Sequence, residues 1–113
     1  MAKINFSRKN LRSIIYNLIS NAIKFRSAQR PIITIRTCQV NENLILSVED
    51  NGVGMSEEGI KMIWGMYHRP YHDIEGQVIG MFLTKKIVSS AGGHITVDSI
   101  PGKGSKFIIT IPI

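Results

Sequence analysis

Two asparagines and a lysine in the segment NLISNAIKF have a spacing that would place them together on one side of a helix. Asn17, Asn21 and Lys24 stand at positions i, i+4 and i+7, which share one helical stripe. Asparagine is a mediocre helix former, so two asparagines on one stripe of a helix indicate a role other than helix formation. Side-chain carbonyl oxygens suit a hard cation such as Mg²⁺, and a lysine beside them would attract phosphate. The alternative is a polar boundary between an apolar face and solvent, and the helix alone leaves both open.

The segment VEDNGVGMS carries a carboxylate on the apolar face of a predicted strand. Asp50 alternates in phase with Leu46 and Val48, so it points the same way as core residues. A carboxylate there is costly unless it accepts hydrogen bonds, either from a purine amine or from a backbone N–H. Gly52 and Gly54 would let the backbone lie close to a flat ligand. An ordinary Asp-Asn-Gly turn is the alternative.

The segment EGQVIGMFLTKK has two glycines, Gly76 and Gly80, just before an amphipathic run. Backbone N–H groups at the start of a helix favour anions, so the segment could surround a phosphate. Val78 stands between the glycines, and a β-branched residue resists positive φ. By itself the segment does not separate a phosphate loop from an ordinary helix start.

The elements that must position these residues follow the order β-α-β-β-α-α-β-β, with an irregular polar segment, MYHRPYHDIEG, before the last helix. The strands fall in hairpins and do not alternate strictly with helices. We therefore predict an α+β fold, a two-layer sandwich whose mixed, mostly antiparallel sheet has its helices on one face. The pattern predicts strands over residues 2–6, 31–40, 44–50, 94–99 and 105–113, and helices over 8–27, after Ser56 and over 78–91.

Composition limits the classes of function. A chain of 113 residues forms one domain, residues 1–113, and no apolar run approaches the roughly 18 residues that span a membrane. The single Cys38 excludes an internal disulfide and fits a reducing compartment. The net charge of +6 favours anionic partners, but no aromatic residues interleave with arginines as in a base-stacking surface. We expect no nucleic acid partner and no direct membrane contact.

Taken together and in this order, the segments resemble the catalytic ATP-binding domain of sensor histidine kinases, in the GHKL ATPase superfamily. NLISNAIKF is similar to its N box, DNGVG to its G1 box, IWGMYHR to its F-box region, EGQVIG to its G2 box and GKGSKF to its last glycine-Ser/Thr element. The similarity extends from about residue 5 to residue 113.

The resemblance implies roles on the phosphate side of a nucleotide. Asn21 would be a Mg²⁺ ligand, and Asn17 a second ligand or a partner of the phosphates. Lys24 would approach the phosphates, which makes Asn17 and Lys24 the implied catalytic residues. Arg69 lies where a basic residue could reach the γ-phosphate.

The resemblance also implies the remaining contacts. Asp50 would accept from adenine N6, and Ser105 would help to order a water near it. The remaining positions are glycines: the pair in DNGVG would line the adenine pocket, and the pair in EGQVIG would bracket the triphosphate, namely Gly52, Gly54, Gly76 and Gly80.

The implied activity is transfer of the ATP γ-phosphoryl group to a histidine on a separate dimerisation domain that this chain does not contain. A response regulator would act downstream, and the domain would lie in the cytoplasm, free or as part of a membrane-anchored sensor. Gyrase-like members of the superfamily have a glutamate at the position of Asn17, where it activates water. An amide is not a base, so Asn17 favours transfer over hydrolysis.

One departure from the family pattern keeps an alternative function open. Val78 stands where the kinases have glycine, and Met81 where they often have leucine. If the segment forms the same phosphate loop as in the kinases, Val78 has a strained backbone conformation beside the phosphates. If the helix begins earlier or later, Val78 is free of this strain. The alternative function is a degenerate module with weak or no nucleotide binding that acts as a protein-interaction domain. None of the three histidines has a helical acceptor context: His68, His72 and His94. His68 and His72 suggest a metal pair, but Pro70 interrupts a helix there and no third ligand is evident.

Overall fold

The computed structural model describes residues 8–64 and 75–112, without the side chains of Met62 and residues 75–80. The predicted strand over residues 2–6 and most of the irregular polar segment, with Arg69, lie outside the described residues. The elements, in chain order, are α1 (Arg8–Lys24), β1 (Ile33–Val40), β2 (Asn43–Asp50), α2 (Glu57–Ile63), α3 (Glu75–Ser90), β3 (His94–Ile100) and β4 (Gly104–Pro112).

The four described strands form one sheet in the order β1-β2-β4-β3, and every neighbouring pair is antiparallel. Both predicted hairpins are present. The first closes through a two-residue turn between Val40 and Asn43, where Asn41 has a φ of 56°. Asparagine tolerates this left-handed conformation better than other non-glycine residues. The prediction of an α+β sandwich is confirmed.

The core lies on one face of the sheet. Alternate residues of β4 are buried while those between them are partly exposed, as a half-covered strand requires. Helix α1 packs on β2, α3 packs on β3 and on α1, and α2 packs on α3. The largest fully buried side chains come from the helices and from the covered face: Phe107, Ile14, Leu18, Met81, Ile109, Ile111, Val48 and Val88.

Two helix ends differ from the sequence prediction. Helix α1 ends at Lys24, three residues before the predicted end, because the Phe25 carbonyl oxygen accepts the Val53 N–H at 2.8 Å. This bond turns the chain away from the helix axis and onto the loop after β2. Helix α3 begins at Glu75, three residues before the predicted start at Val78, so its backbone includes both glycines of EGQVIG.

Helix α2 begins where its cap was predicted. The Ser56 hydroxyl accepts the Gly59 N–H at 3.2 Å, which satisfies one of the free donors of the first turn. Trp64, just past the helix, contacts Phe107 edge to face with 6.1 Å between ring centroids. The Lys85 ammonium lies 5.2 Å from the centre of the Trp64 ring. None of the described helices combines the length and apolarity that crossing a membrane requires.

Candidate functional site

A side-chain hydrogen bond joins the two long helices at Asn17. Its amide nitrogen donates to the Thr84 hydroxyl of α3 at 3.1 Å, and Thr84 is completely buried. Because the bond connects helices that are far apart in the chain, it fixes the rotation of α1 relative to α3. The stripe that begins at Asn17 therefore faces the space between the two helices.

Asn21 is the buried member of this stripe. Its exposed fraction is 2%, and its side-chain oxygen finds no hydrogen-bond partner among the described residues. A buried, unpaired amide oxygen costs about 1–3 kcal/mol, so it points to a partner such as a ligand or cation. Lys24, one turn further on, is exposed. The stripe thus leads from a buried oxygen to a cation at the surface.

Asp50 is the last residue of β2, and its side chain lies on the covered face of the sheet. It lies opposite Ser105 of β4, with Ile33 on its other side. Its carboxylate accepts the Gly52 N–H at 2.8 Å. Burial raises the pKa of Asp50, the N–H groups of Gly52 and Ser105 act against this, and the charge of Glu49 adds to the rise. Asp50 and Ser105 also border a surface groove at this end of the sheet.

The loop after Asp50 packs backbone against backbone. A Cβ at Gly52 would collide with the Phe25 carbonyl oxygen, and a Cβ at Gly54 with the Ile100 carbonyl oxygen. Gly54 also has a φ of 73°, a conformation that favours glycine. At both positions, other protein backbone occupies the space that a side chain would need. This packing is a reason for glycine that the sequence did not show.

The asparagine in DNGVG fastens the same loop to the segment before β1. The Asn51 side-chain oxygen accepts the Ile32 N–H at 2.9 Å, and its amide donates to the Arg30 carbonyl at 3.0 Å. The bond between Phe25 and Val53 fastens the loop to α1. The last turn of α1 and the end of β2 therefore lie at the same end of the domain.

The glycines of EGQVIG lie in the first turns of α3. Gly80 precedes Thr84 by about one helical turn, so the second glycine, and not the first residue of α3, lies next to the hydrogen bond with Asn17. Val78 shares this helical backbone, where φ is negative for every residue type. The sequence left open whether Val78 lies in a strained phosphate loop or in a helix that begins earlier or later. The helix begins earlier, at Glu75, so Val78 needs no positive φ.

Sequence reasoning missed two hydroxyls that hold the site together, Thr84 and Ser99. Thr84 has a recognisable signal, because it stands three residues after Met81 and four before Val88 on the apolar stripe of α3. A polar residue in that phase is expected to find a buried partner. Ser99 has no such signal, because its contacts depend on the turn that brings β3 and β4 together. No group of three or more metal-ligating His, Cys, Asp or Glu side chains occurs in the described part of the chain.

Three helices over one face of an antiparallel sheet, with a carboxylate at a strand end and two amides on a helix, define a domain of the α+β sandwich class. The chain matches the family described as "Histidine kinase-, DNA gyrase B-, and HSP90-like ATPase" over residues 7–113. It belongs to this family, as the sequence motifs predicted, and within it to the catalytic ATP-binding domains of sensor histidine kinases.

Curated relatives support this placement. The chain is 30% identical over 109 residues to sensor protein RprX of Bacteroides fragilis, and the match covers 92% of this chain and 21% of that protein. It is 35% identical over 106 residues to the aerobic respiration control sensor protein ArcB of Escherichia coli, covering 89% of this chain and 14% of ArcB. The chain thus spans about a fifth or less of these relatives.

Solved structures share the fold. The catalytic domain of histidine kinase ThkA, in a nucleotide-free form, has a TM-score of 0.76 and 25% identity, and the match covers 95% of this chain and 69% of that one. The mycobacterial sensor histidine kinase MprB has a TM-score of 0.77 at 20% identity, with 96% and 76% covered.

Proposed function

We propose that this domain binds Mg-ATP and transfers the γ-phosphoryl group to a histidine on a separate dimerisation domain. The phosphohistidine would then serve a response regulator, and the reaction would take place in the cytoplasm. The observation that carries the proposal is the buried side-chain oxygen of Asn21, which has no partner among the described residues. The family and the curated sensor proteins support the same activity.

The residues present fit a Mg²⁺ ion. Mg²⁺ takes oxygen ligands, keeps several of its waters and is usually shared with nucleotide phosphates, so one or two protein oxygens suffice. The Asn21 oxygen would be the first of these, and Asn17 on the same stripe the second. When bound, the ion would neutralise charge on the phosphate oxygens.

The opposite end of the site would hold the adenine ring. Asp50 would accept a hydrogen bond from the exocyclic amine, and Ser105, directly across the sheet, would stand beside it. The Gly52–Gly54 loop, whose backbone is held by contacts with the backbones of Phe25 and Ile100, would lie against the ring. A rigid acceptor in a partly buried setting gives more selectivity than a flexible one at the surface.

The remaining residues would act on the phosphates. Lys24, at the exposed end of the α1 stripe, would contribute positive charge. Gly76 and Gly80, at the start of α3, would let the backbone approach the triphosphate, and Arg69 would reach the γ-phosphate. Asn17 has no basic side chain to activate water, so the bound ATP would await an acceptor histidine instead of being hydrolysed.

The direct test measures ATP and ADP binding by calorimetry with and without Mg²⁺, followed by transfer of label from γ-labelled ATP to an added dimerisation domain of a sensor kinase. We expect binding that tightens with Mg²⁺ and label on the acceptor histidine. A His→Gln form of the acceptor is the matched control. A folded domain that binds neither nucleotide would reject the kinase and favour the protein-interaction module.

The replacement of Val78 by glycine tests the course of the G2 segment. Because Val78 lies within α3, we expect Val78→Gly to change ATP affinity by less than about threefold and to lower the free energy of unfolding by about 0.5 kcal/mol through helix propensity. Calorimetry and urea unfolding measure the two effects, with Val78→Ala as the control that keeps the helix. A gain of tenfold or more in the preference of Val78→Gly for ATP over ADP would show that binding requires the glycine-loop course instead.

A further inference from the structure

Ser99 of β3 stands at the junction of three parts of the candidate site. Its hydroxyl oxygen accepts the Met55 N–H of the loop after β2 at 2.8 Å. The same hydroxyl lies 3.1 Å from the Gly104 carbonyl oxygen and 2.7 Å from the Ser105 hydroxyl. Ser99 is therefore bonded to the loop that follows Asp50 and to both residues that begin β4.

Counting protons assigns a direction to each of these bonds. A serine hydroxyl has one proton to donate and two lone pairs that accept. The Met55 N–H can only donate and the Gly104 carbonyl can only accept, so the Ser99 proton goes to Gly104. The second lone pair of Ser99 then receives the proton of Ser105. The reverse arrangement would leave the Gly104 carbonyl without this bond and a lone pair of Ser99 unused.

This direction determines what Ser105 presents to a ligand. Its proton is committed to Ser99, so its oxygen remains as an acceptor. Ser105 lies directly opposite Asp50 on the covered face of the sheet, and its backbone N–H lies against the Asp50 carboxylate. The two residues thus form a pair of acceptors at the end of the sheet.

We propose that Ser99 is a positioning residue that makes the site selective for a 6-amino purine. An exocyclic amine has two protons to donate, one for Asp50 and one for Ser105. A 6-oxo purine presents an acceptor at the same place and meets two acceptors. The inference rests on the proposed function, because it assigns the purine to the end of the site where Asp50 lies.

The test compares ADP with inosine diphosphate, which replaces the 6-amino group by a 6-oxo group. In the unmodified domain we expect ADP to bind more tightly. In Ser99→Ala the Ser105 hydroxyl is free to donate, so the preference for ADP is expected to fall about threefold to tenfold, with a gain in affinity for inosine diphosphate. Ser105→Ala is expected to reduce the preference through weaker ADP binding alone. Ser99→Thr keeps the hydroxyl and should keep the preference.

The control is Ser47→Ala, a half-buried strand serine that faces Arg36 and Ile108 on the other strands. If Ser99→Ala only loosens the loop, both affinities fall together and an unchanged ratio overturns the role of Ser99 while the kinase function stands. If Ser99→Ala does not fold, an unchanged ratio in Ser105→Ala overturns it. If the unmodified, folded domain binds neither nucleotide, the proposed function fails, and this inference fails with it.

Discussion

Asp50→Asn is expected to weaken the binding of ATP and ADP by about 1–3 kcal/mol, the range for losing one charged hydrogen bond, and to weaken GTP binding less. The Gly52 and Ser105 N–H groups need an acceptor, so the new amide will turn its oxygen to them. Its NH₂ group then faces the purine, where it opposes an amine but suits a 6-oxo group. Calorimetry with ATP, ADP and GTP measures the change in preference.

The pH dependence of binding gives a second readout of Asp50. The amine prefers the ionised carboxylate as its acceptor, and burial raises the pKa of Asp50 above its ordinary value. ADP affinity is therefore expected to fall as the pH is lowered through that raised pKa, and to stay flat over the same range in Asp50→Asn. The pH dependence of stability has the opposite sign. Because the pKa of Asp50 is higher in the folded than in the unfolded chain, ionisation of Asp50 favours the unfolded chain. The free energy of unfolding therefore falls as the pH rises between the two pKa values.

Asp98→Asn is the matched control for Asp50. Asp98 is an exposed carboxylate on β3 that lines the same groove but points to the uncovered face, opposite Lys106. Its substitution is expected to leave both the affinities and their pH dependence unchanged. Equal ATP affinity in Asp50→Asn and in the unmodified domain would remove Asp50 from the site.

The sheet was predictable because its signals are local. Strand period places Leu46 and Val48 on the covered face, and the turn after Val40 contains an asparagine that accepts positive φ. Each of these properties depends on residues within a few positions of one another. The order of strands and helices along the chain then predicted the α+β sandwich.

The helix ends were less predictable because their causes are distant in the chain. Helix α1 ends at Lys24 through a bond from Phe25 to Val53, and no residue near Lys24 signals it. At the other helix, the amphipathic run predicted a start at Val78, yet α3 begins at Glu75 and includes Gly76 despite the low helix propensity of glycine. Local propensity did not decide either boundary.

The residues of the candidate site also differ in how far the sequence revealed them. Asp50 was recognisable as a carboxylate in phase with core residues, and Asn21 as one of two asparagines on a single helical stripe; the structure places both on the covered side of the sheet. Thr84 was missed because its partner Asn17 is 67 residues away. Ser99 was missed because one of its partners, Met55, is 44 residues away and the others depend on the turn between β3 and β4. The spacing of Thr84 on the apolar stripe of α3 indicates that it is buried, but no local spacing reveals which residue is its partner.

Asn21→Ala is expected to remove most of the Mg²⁺ dependence of nucleotide affinity, on the order of 10- to 100-fold or more, because losing even an outer-shell partner of a metal ligand costs that much. The oxygen that the substitution deletes is buried and has no partner among the described residues, so its loss costs no hydrogen bond that they supply. Adenosine, which lacks phosphates, is expected to bind with nearly unchanged affinity, because its contacts would lie at Asp50. Calorimetry of ATP and of adenosine, each with and without Mg²⁺, measures all of these effects.

Asn21→Asp is the matched variant, because it keeps an oxygen at the same position and adds a negative charge. In Asn21→Asp we expect the Mg²⁺ dependence of ATP binding to be retained or strengthened, since a carboxylate is a better ligand for this ion than an amide. Without the ion, the variant should be less stable than the original domain, because its carboxylate would be buried without a partner. Mg²⁺ dependence that survives in Asn21→Ala at its original size would show that Asn21 is no metal ligand, and the buried oxygen would then need a different partner.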